Sequence, residues 1–235
     1  MNNKFFLSID FDGTVTDTDV TDAIIKQFAK PEWEHAEKLW EEGTIGSREC
    51  LATQMSLIET PMEDLLAYAK KFSVHESFLP FIKFLREFDI PHAIISDGFN
   101  VFIKRLLTDA GIEGIPIYAN GLTYEKGALK ALFLYTDAKC SSATCKCKTA
   151  ERAGGNLPVI HIGDGGSDFC LAGKAAYVFS KGKLTSHCRG NTIPYSSFDS
   201  FSHVEKNLRL LIGQTAVSEQ PTKNISESVL WNPGR

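Results

Sequence analysis

The sequence predicts an α/β fold, a parallel sheet flanked by helices and interrupted once by a block made of helices alone. Three observations carry that expectation. Short apolar runs of the kind buried on both faces recur at 5–9, 91–95 and 158–162. Each stops at a polar signature: Asp10-Phe11-Asp12-Gly13-Thr14, then Ser96-Asp97-Gly98, then Gly163-Asp164-Gly165-Gly166-Ser167-Asp168. Helical periodicity lies between them, and such alternation implies right-handed crossovers and a parallel sheet.

Length and composition set the bounds. A chain of 235 residues can form one sizeable α/β domain, or one domain carrying an insertion. Its 43% hydrophobic and 23% charged content are those of an ordinary globular protein. With a net charge of -4 and no Lys/Arg block, no nucleic-acid partner is expected. No stretch reaches the roughly 18 apolar residues of a membrane helix, so no membrane partner is expected either. Asn2-Asn3-Lys4 leads straight into a strand without the layout of a secretory signal. Six unevenly placed cysteines fit reduced thiols better than a disulfide framework, and the expected compartment is the cytoplasm.

Taken in order, the first strand gives way to a polar stretch and then to Val20, Ile24 and Phe28 at four-residue spacing. Pro31 interrupts that helix, and a second amphipathic piece carries Trp33, Leu39 and Trp40 before Gly43 and Gly46 break it. Ser47 is placed to cap a third helix with Leu51, Met55 and Ile58 on one stripe. Thr60-Pro61-Met62-Glu63 reads as a capping box opening a fourth, through Leu65, Leu66, Ala69 and Phe72. No strand signal interrupts 16–75, so this block is expected to be an inserted helical cap.

From Glu76 the α/β pattern resumes. Phe78, Phe81, Ile82, Leu85 and Phe88 line one helical face ahead of the second buried strand. A helix from about 99 to 110 closes at Gly111. A strand is expected at 115–118, and a hairpin at 122–135 turning around Lys126-Gly127. A thiol-rich turn with Cys140, Cys145 and Cys147 leads into a short helix ending near Gly154-Gly155. After the third buried strand come a strand near 177–179 and a helix through Val204, Leu208 and Leu211. The expected division is a core of 1–15 and 76–213, a cap of 16–75, and a loose tail of 214–235.

Alone, Asp-x-Asp-Gly at a strand end reads as a solvated turn. Three such ends side by side in a parallel sheet would instead converge on one crevice, where open α/β sheets bind ligands. The residue types there suit phosphoryl chemistry. Asp10 can act as nucleophile, Asp164 with the first-strand carboxylates can bind Mg²⁺, Ser96 and nearby backbone N–H groups can hold phosphate oxygens, and Lys148 can neutralise developing charge. Lys146 competes for the lysine role; Lys148 is preferred because it directly opens the following helix.

In order and spacing, Asp10-Phe11-Asp12-Gly13-Thr14, Ser96, Lys148 and Gly163-Asp164-Gly165-Gly166-Ser167-Asp168 resemble the four motifs of the haloacid dehalogenase superfamily. The resemblance spans about 5–180, with the helical block where that superfamily inserts its first-type (C1) cap on a Rossmannoid sheet. It implies that Asp10 attacks phosphorus to form an aspartyl-phosphate, and that Asp12 protonates the leaving oxygen and then activates water. It implies Mg²⁺ on Asp10, Asp164 and the Asp12 carbonyl, with Asp168 behind them supporting the metal's waters or Lys148. The implied phosphate-binding set is Phe11, Gly13, Ser96, Asp97, Gly98 and Lys148. Because an ester leaving group needs a proton and a halide does not, the second aspartate favours phosphomonoester hydrolysis over dehalogenation.

Within the superfamily the chain resembles the branch of phosphoserine, phosphoethanolamine/phosphocholine and methionine-salvage phosphatases. It is most like the last of these, in Pro31-Glu32-Trp33 and in the cysteines before the lysine. Asp97 stands where many relatives have glycine, and 48–57 lacks a clear match to the arginine that phosphoserine phosphatases use for the substrate carboxylate. The expected substrate is thus a small phosphorylated metabolite, and the protein a monomer or homodimer. Rival readings are a phosphomutase or phosphotransferase, and a binding module that has lost turnover.

Several residues carry two readings. Cys140, Cys145 and Cys147 can ligate Zn²⁺ with Cys170 or Cys188, or can be plain thiols in a loop. Asp19, Asp22 and Ser167 can touch substrate, although a carboxylate at a helix start also serves structure alone. His161 is expected to be a packed core histidine, and Trp33 and Trp40 part of the cap core, with the alternative that one of them lines the substrate pocket.

Overall fold

The computed structural model describes residues 5–125 and 127–218, with side chains through 212. Its centre is β1 (Phe6–Ile9), every residue of which is buried. Four helices follow without an intervening strand: α1 (Val20–Phe28), α2 (Trp33–Glu41), α3 (Ser47–Ser56) and α4 (Met62–Ala69). An isolated antiparallel bridge between Thr16 and Val74 closes the neck of this excursion. Alternation then resumes with α5 (Phe78–Glu87), β2 (His92–Phe99) and α6 (Asn100–Asp109). The hairpin β3 (Ile117–Glu125) and β4 (Ala128–Leu132) precedes α7 (Lys146–Gly154) and β5 (Val159–Gly163). The rest comprises α8 (Phe169–Ala172), β6 (Tyr177–Ser180), α9 (Gly182–Gly190), β7 (Tyr195–Ser197) and α10 (Phe201–Ser218).

The sheet runs β4-β3-β2-β1-β5-β6-β7, parallel throughout except for the β3–β4 pair. The α/β class with a helical insertion is therefore what the chain adopts. β1 lies between β2 and β5, so the ends carrying Asp10, Ser96 and Asp164 are neighbours.

Alternation along β1 divides the interior into two layers. Leu7 and Ile9 face the large apolar core shared with Phe81, Phe102 and Phe201 of α5, α6 and α10. Phe6 faces the opposite layer, with Ala93, Ile95, Cys145, Cys147 and Ala150 under α7. Ser8 and His161 are partners in the β1–β5 register and sit fully buried within the sheet.

Several local expectations are revised. The strand expected at 115–118 and the first arm of the hairpin are one continuous β3, and Lys126 at its tip lies outside the described residues. α4 begins at Met62 with Pro61 at the cap position and no side-chain cap, so Thr60 does not close a capping box. Ser47 is the first residue of α3 rather than its cap, since Gly46 takes that position. α10 runs to Ser218, past the point where the tail was expected to start, and 219–235 lie outside the described residues.

Candidate active site

Asp10 follows β1 directly, with its N–H donating to the Ile162 carbonyl over 2.9 Å and its side chain buried. Lys146, the first residue of α7, brings Nζ to 2.8 Å from Asp10 Oδ1 and 2.6 Å from Asp168 Oδ1. The same ammonium donates to Ser167 Oγ at 2.9 Å. Burial alone would lower the lysine, but the charges of Asp10, Asp168 and Asp97 outweigh it and hold Lys146 firmly protonated. Burial drives Asp10 well above the usual carboxylate range, reinforced by Asp168 and Asp164 and opposed by Lys146.

Asp12 is held by the start of α1. Val20 N–H donates to Oδ1 and Thr21 Oγ1 to Oδ2, each at 3.0 Å. Burial lifts this carboxyl to about 6 even though those two donors pull it down. A group poised there can give a proton to a leaving oxygen and take one back near neutrality.

Asp164 accepts from Thr14 Oγ1 at 3.0 Å, and its carboxyl is raised by burial and by Asp168. Asp168 is fully buried and spends both oxygens: Oδ1 on Lys146 and on His161 Nε2 at 2.9 Å, Oδ2 on the N–H groups of Asp164 and Gly165 at 3.1 Å each. Burial would raise it, but Lys146 and His161 take it well below the usual range. Two glycines permit this crowding. A Cβ on Gly13, whose φ is +70°, would lie 2.5 Å from Asp164 Oδ2, and one on Gly98 would lie 2.3 Å from Asp12 Oδ2.

Carboxylate oxygens of Asp10, Asp164 and Asp168 lie within 4.8 Å of one another, a hard oxygen set that fits Mg²⁺. With the Asp168 oxygens already engaged, Asp10 and Asp164 are the members suited to direct ligation. Ser96 is buried beside them, and its Oγ accepts from Gly98 N–H at 3.0 Å, which leaves the hydroxyl proton free to donate.

A cavity of about 450 Å³ opens above these groups. Asp10, Asp12, Ser96, Asp97, Gly98 and Asp164 line its floor, and Asp19 and Ser167 also border it. Phe11 and Gly13 are not among its walls: the Phe11 ring is buried in the core and Gly13 packs on Asp164. Asp97 spends its carboxylate on Ser47 Oγ at 2.6 Å and Thr144 N–H at 2.9 Å, so as a side chain it shapes the loop rather than receives an anion. Asp19 caps α1 by accepting from Asp22 N–H at 2.8 Å.

The lysine expectation needs correction. Lys148 points outward and pairs with Glu151 at 2.8 Å, whereas Lys146 is the lysine in the site. The reason is the helical turn: Lys146, Ala150 and Gly154 recur at four-residue spacing on the buried face of α7, and Lys148 lies off it. Of the two readings for the cap tryptophans, Trp40 takes the pocket-lining one and borders the cavity at 36% exposure. Of the two readings for Cys140, Cys145 and Cys147, a shared metal finds no support: among the described residues the aspartates are the sole group with metal-binding geometry. Cys145 and Cys147 are buried in the apolar layer under α7, and Cys147 Sγ instead lies 2.9 Å from Cys170 Sγ. His161, expected as packing, is buried but also bonded to Asp168 and, at 3.3 Å, to Ser8 Oγ.

The profile of the haloacid dehalogenase-like hydrolases matches residues 8–173, from β1 through α8. The chain belongs to that family. Among curated members, the chain is 30% identical over 220 residues to the 2-hydroxy-3-keto-5-methylthiopentenyl-1-phosphate phosphatase of Geobacillus thermodenitrificans, covering 90% of this chain and 98% of the relative. The enzyme of the same name from Brevibacillus brevis is 29% identical over 220 residues, covering 89% and 97%. Family structures share the fold at lower identity. A substrate-bound phosphoserine phosphatase aligns with TM-score 0.66 at 16% identity, over 88% of this chain and 99% of that one. A phospho-aspartyl intermediate analogue of phosphoserine phosphatase aligns with TM-score 0.65 at 17% identity, over the same shares of 88% and 99%.

Proposed function

We propose that this family member hydrolyses a small phosphomonoester through an aspartyl-phosphate on Asp10. The observation that carries the reading is the pair of aspartates on the cavity floor, one against a buried lysine and the other held by the start of α1 with its carboxyl at about 6. An Asp10 oxygen attacks phosphorus, the bond from phosphorus to the ester oxygen breaks, and Asp12 gives its proton to the departing alcohol. Asp12, now a carboxylate, takes a proton from water as that water attacks phosphorus. Phosphate leaves and Asp10 is restored.

Ser96 Oγ and the Gly98 turn bind phosphoryl oxygens, and Lys146 orients Asp10 and favours its ionised form against the effect of burial. Mg²⁺, held by Asp10, Asp164 and the Asp12 backbone, would supply the positive charge that a phosphoryl group needs. The first substrate to try is the relatives' 2-hydroxy-3-keto-5-methylthiopentenyl-1-phosphate. The test is phosphate release from an aryl phosphate with Mg²⁺: the wild type is expected to turn over and Asp10→Asn to lose activity entirely. Retained hydrolysis in Asp10→Asn would remove Asp10 as nucleophile.

A further inference from the structure

The far wall of the cavity is built by α1, α2 and α3, and its chemistry is one-sided. Glu37 of α2 faces two α3 residues one helical turn apart: Gln54 Nε2 donates to Glu37 Oε2 at 2.8 Å, and Cys50 Sγ approaches the same oxygen at 3.8 Å. A carboxylate only accepts, so the Gln54 amide must present its NH₂ end and the Cys50 thiol must keep its proton. Burial and the Glu37 charge push that thiol up to about 12, which holds it as a donor. Cys50 and Gln54 are buried while Glu37 remains partly open to the cavity, so its charge is fixed in direction.

Lys26 offsets part of the Glu37 charge, although the hydrogen bond and charge of Asp22 act on that ammonium more strongly. Lys26, on the same wall, has its ammonium 2.6 Å from Asp22. Arg48, the lone arginine of 16–75, donates to the backbone carbonyls of Cys140 at 2.6 Å and Ser142 at 3.1 Å. Lys183 also borders the cavity, next to Gly182, which packs on the Asp164 carbonyl.

We propose that Glu37 sets the substrate class: it accepts a hydrogen bond from a hydroxyl or ammonium at the far end of a phosphomonoester and excludes esters carrying a second acid group there. This deepens the hydrolase reading above and rests on it. A carboxylate brought to this wall meets like charge in a partly desolvated space and offers Glu37 no further donor. Ile25 and Leu51 add apolar surface beside it, which suits a short uncharged chain.

Ethanolamine phosphate and serine phosphate differ by one carboxylate, as do glycerol 3-phosphate and 3-phosphoglycerate. In each pair kcat/KM is expected to favour the acid-free ester by roughly tenfold or more, the scale of a like-charge contact. Glu37→Gln keeps the shape and an acceptor for Gln54, and is expected to shrink both ratios by about fivefold or more. Ratios are insensitive to the fraction of folded enzyme. Equal rates within both pairs in the wild type, or ratios unmoved in Glu37→Gln, overturn the proposal. The same ratios read as affinities of the metal-free Asp10→Asn protein need no turnover. An inactive wild type toward aryl phosphate would therefore defeat the hydrolase reading while the affinities still decide the role of Glu37, and equal or undetectable affinities would overturn it.

Discussion

Ser47, at the start of α3, donates to Asp97 Oδ2 over 2.6 Å and so joins the helical insertion to the end of β2. The same Ser47 oxygen accepts from Ala143 N–H at 3.0 Å, and Asp97 Oδ1 accepts from Thr144 N–H at 2.9 Å. Gly46 lets the two backbones meet, since a Cβ there would lie 2.3 Å from the Ser141 carbonyl oxygen. Ser47→Ala removes a donor from a half-buried carboxylate and an acceptor from a backbone N–H, so a loss of about 1–2 kcal/mol is expected. Urea unfolding of the variant checks this, and an unchanged midpoint would mean that the junction is held without Ser47.

The two neighbouring lysines of α7 make opposite predictions. Lys146→Met leaves Asp10 and Asp168 facing each other without their shared cation, and kcat is expected to fall by at least about 100-fold. Lys148→Ala breaks a surface pair with Glu151 and should leave kcat near that of the wild type. Steady-state assays of both settle the assignment, and the reverse outcome would restore Lys148.

That pair also marks how far the sequence can be read. The strands were legible because burial on both faces leaves uninterrupted apolar runs, and the motifs because each follows such a run. Choosing Lys148 failed because the helix starts two residues earlier than its position suggests; Ala150 and Gly154, four and eight residues after Lys146, were the available signal. α9 escaped notice because only Leu184 and Cys188 are buried along it, and β7 is a three-residue edge strand. The clamp on Glu37 could not be read at all, because it arises where two helices cross and leaves no local pattern.

Mg²⁺ affinity should rise with pH. Burial and neighbouring carboxylates raise Asp10 and Asp164 above their unfolded values, so the metal-free native state retains protons that the unfolded chain releases. The stability these groups lend is full below the unfolded carboxyl pKa of about 3.9 and is lost as pH climbs through the raised native values. Asp168 has the opposite sign: its contribution is present above the unfolded value and is lost only in strong acid. Metal binding requires Asp10 and Asp164 ionised, so it must expel those protons. The thermal shift produced by Mg²⁺ is expected to be larger at about pH 7.5 than at about pH 5.5 and to vanish in Asp164→Asn. A shift independent of pH would mean that these carboxyls are already ionised without metal.

Asp12 should matter in proportion to how badly the leaving group needs a proton. Its carboxyl, at about 6, is held toward the cavity by Val20 N–H and Thr21 Oγ1, an arrangement suited to protonating an alkoxide. A nitrophenolate departs without that help, while the alkoxide of an alkyl ester does not. In Asp12→Asn, kcat/KM for an alkyl phosphate is therefore expected to drop by about 10²–10⁴-fold, and for p-nitrophenyl phosphate by much less. Using kcat/KM confines the comparison to the steps through aspartyl-phosphate formation and keeps the later role of Asp12 as base out of the reading. Equal losses for both esters would show that Asp12 acts on the phosphoryl group or the site's structure rather than on the leaving oxygen.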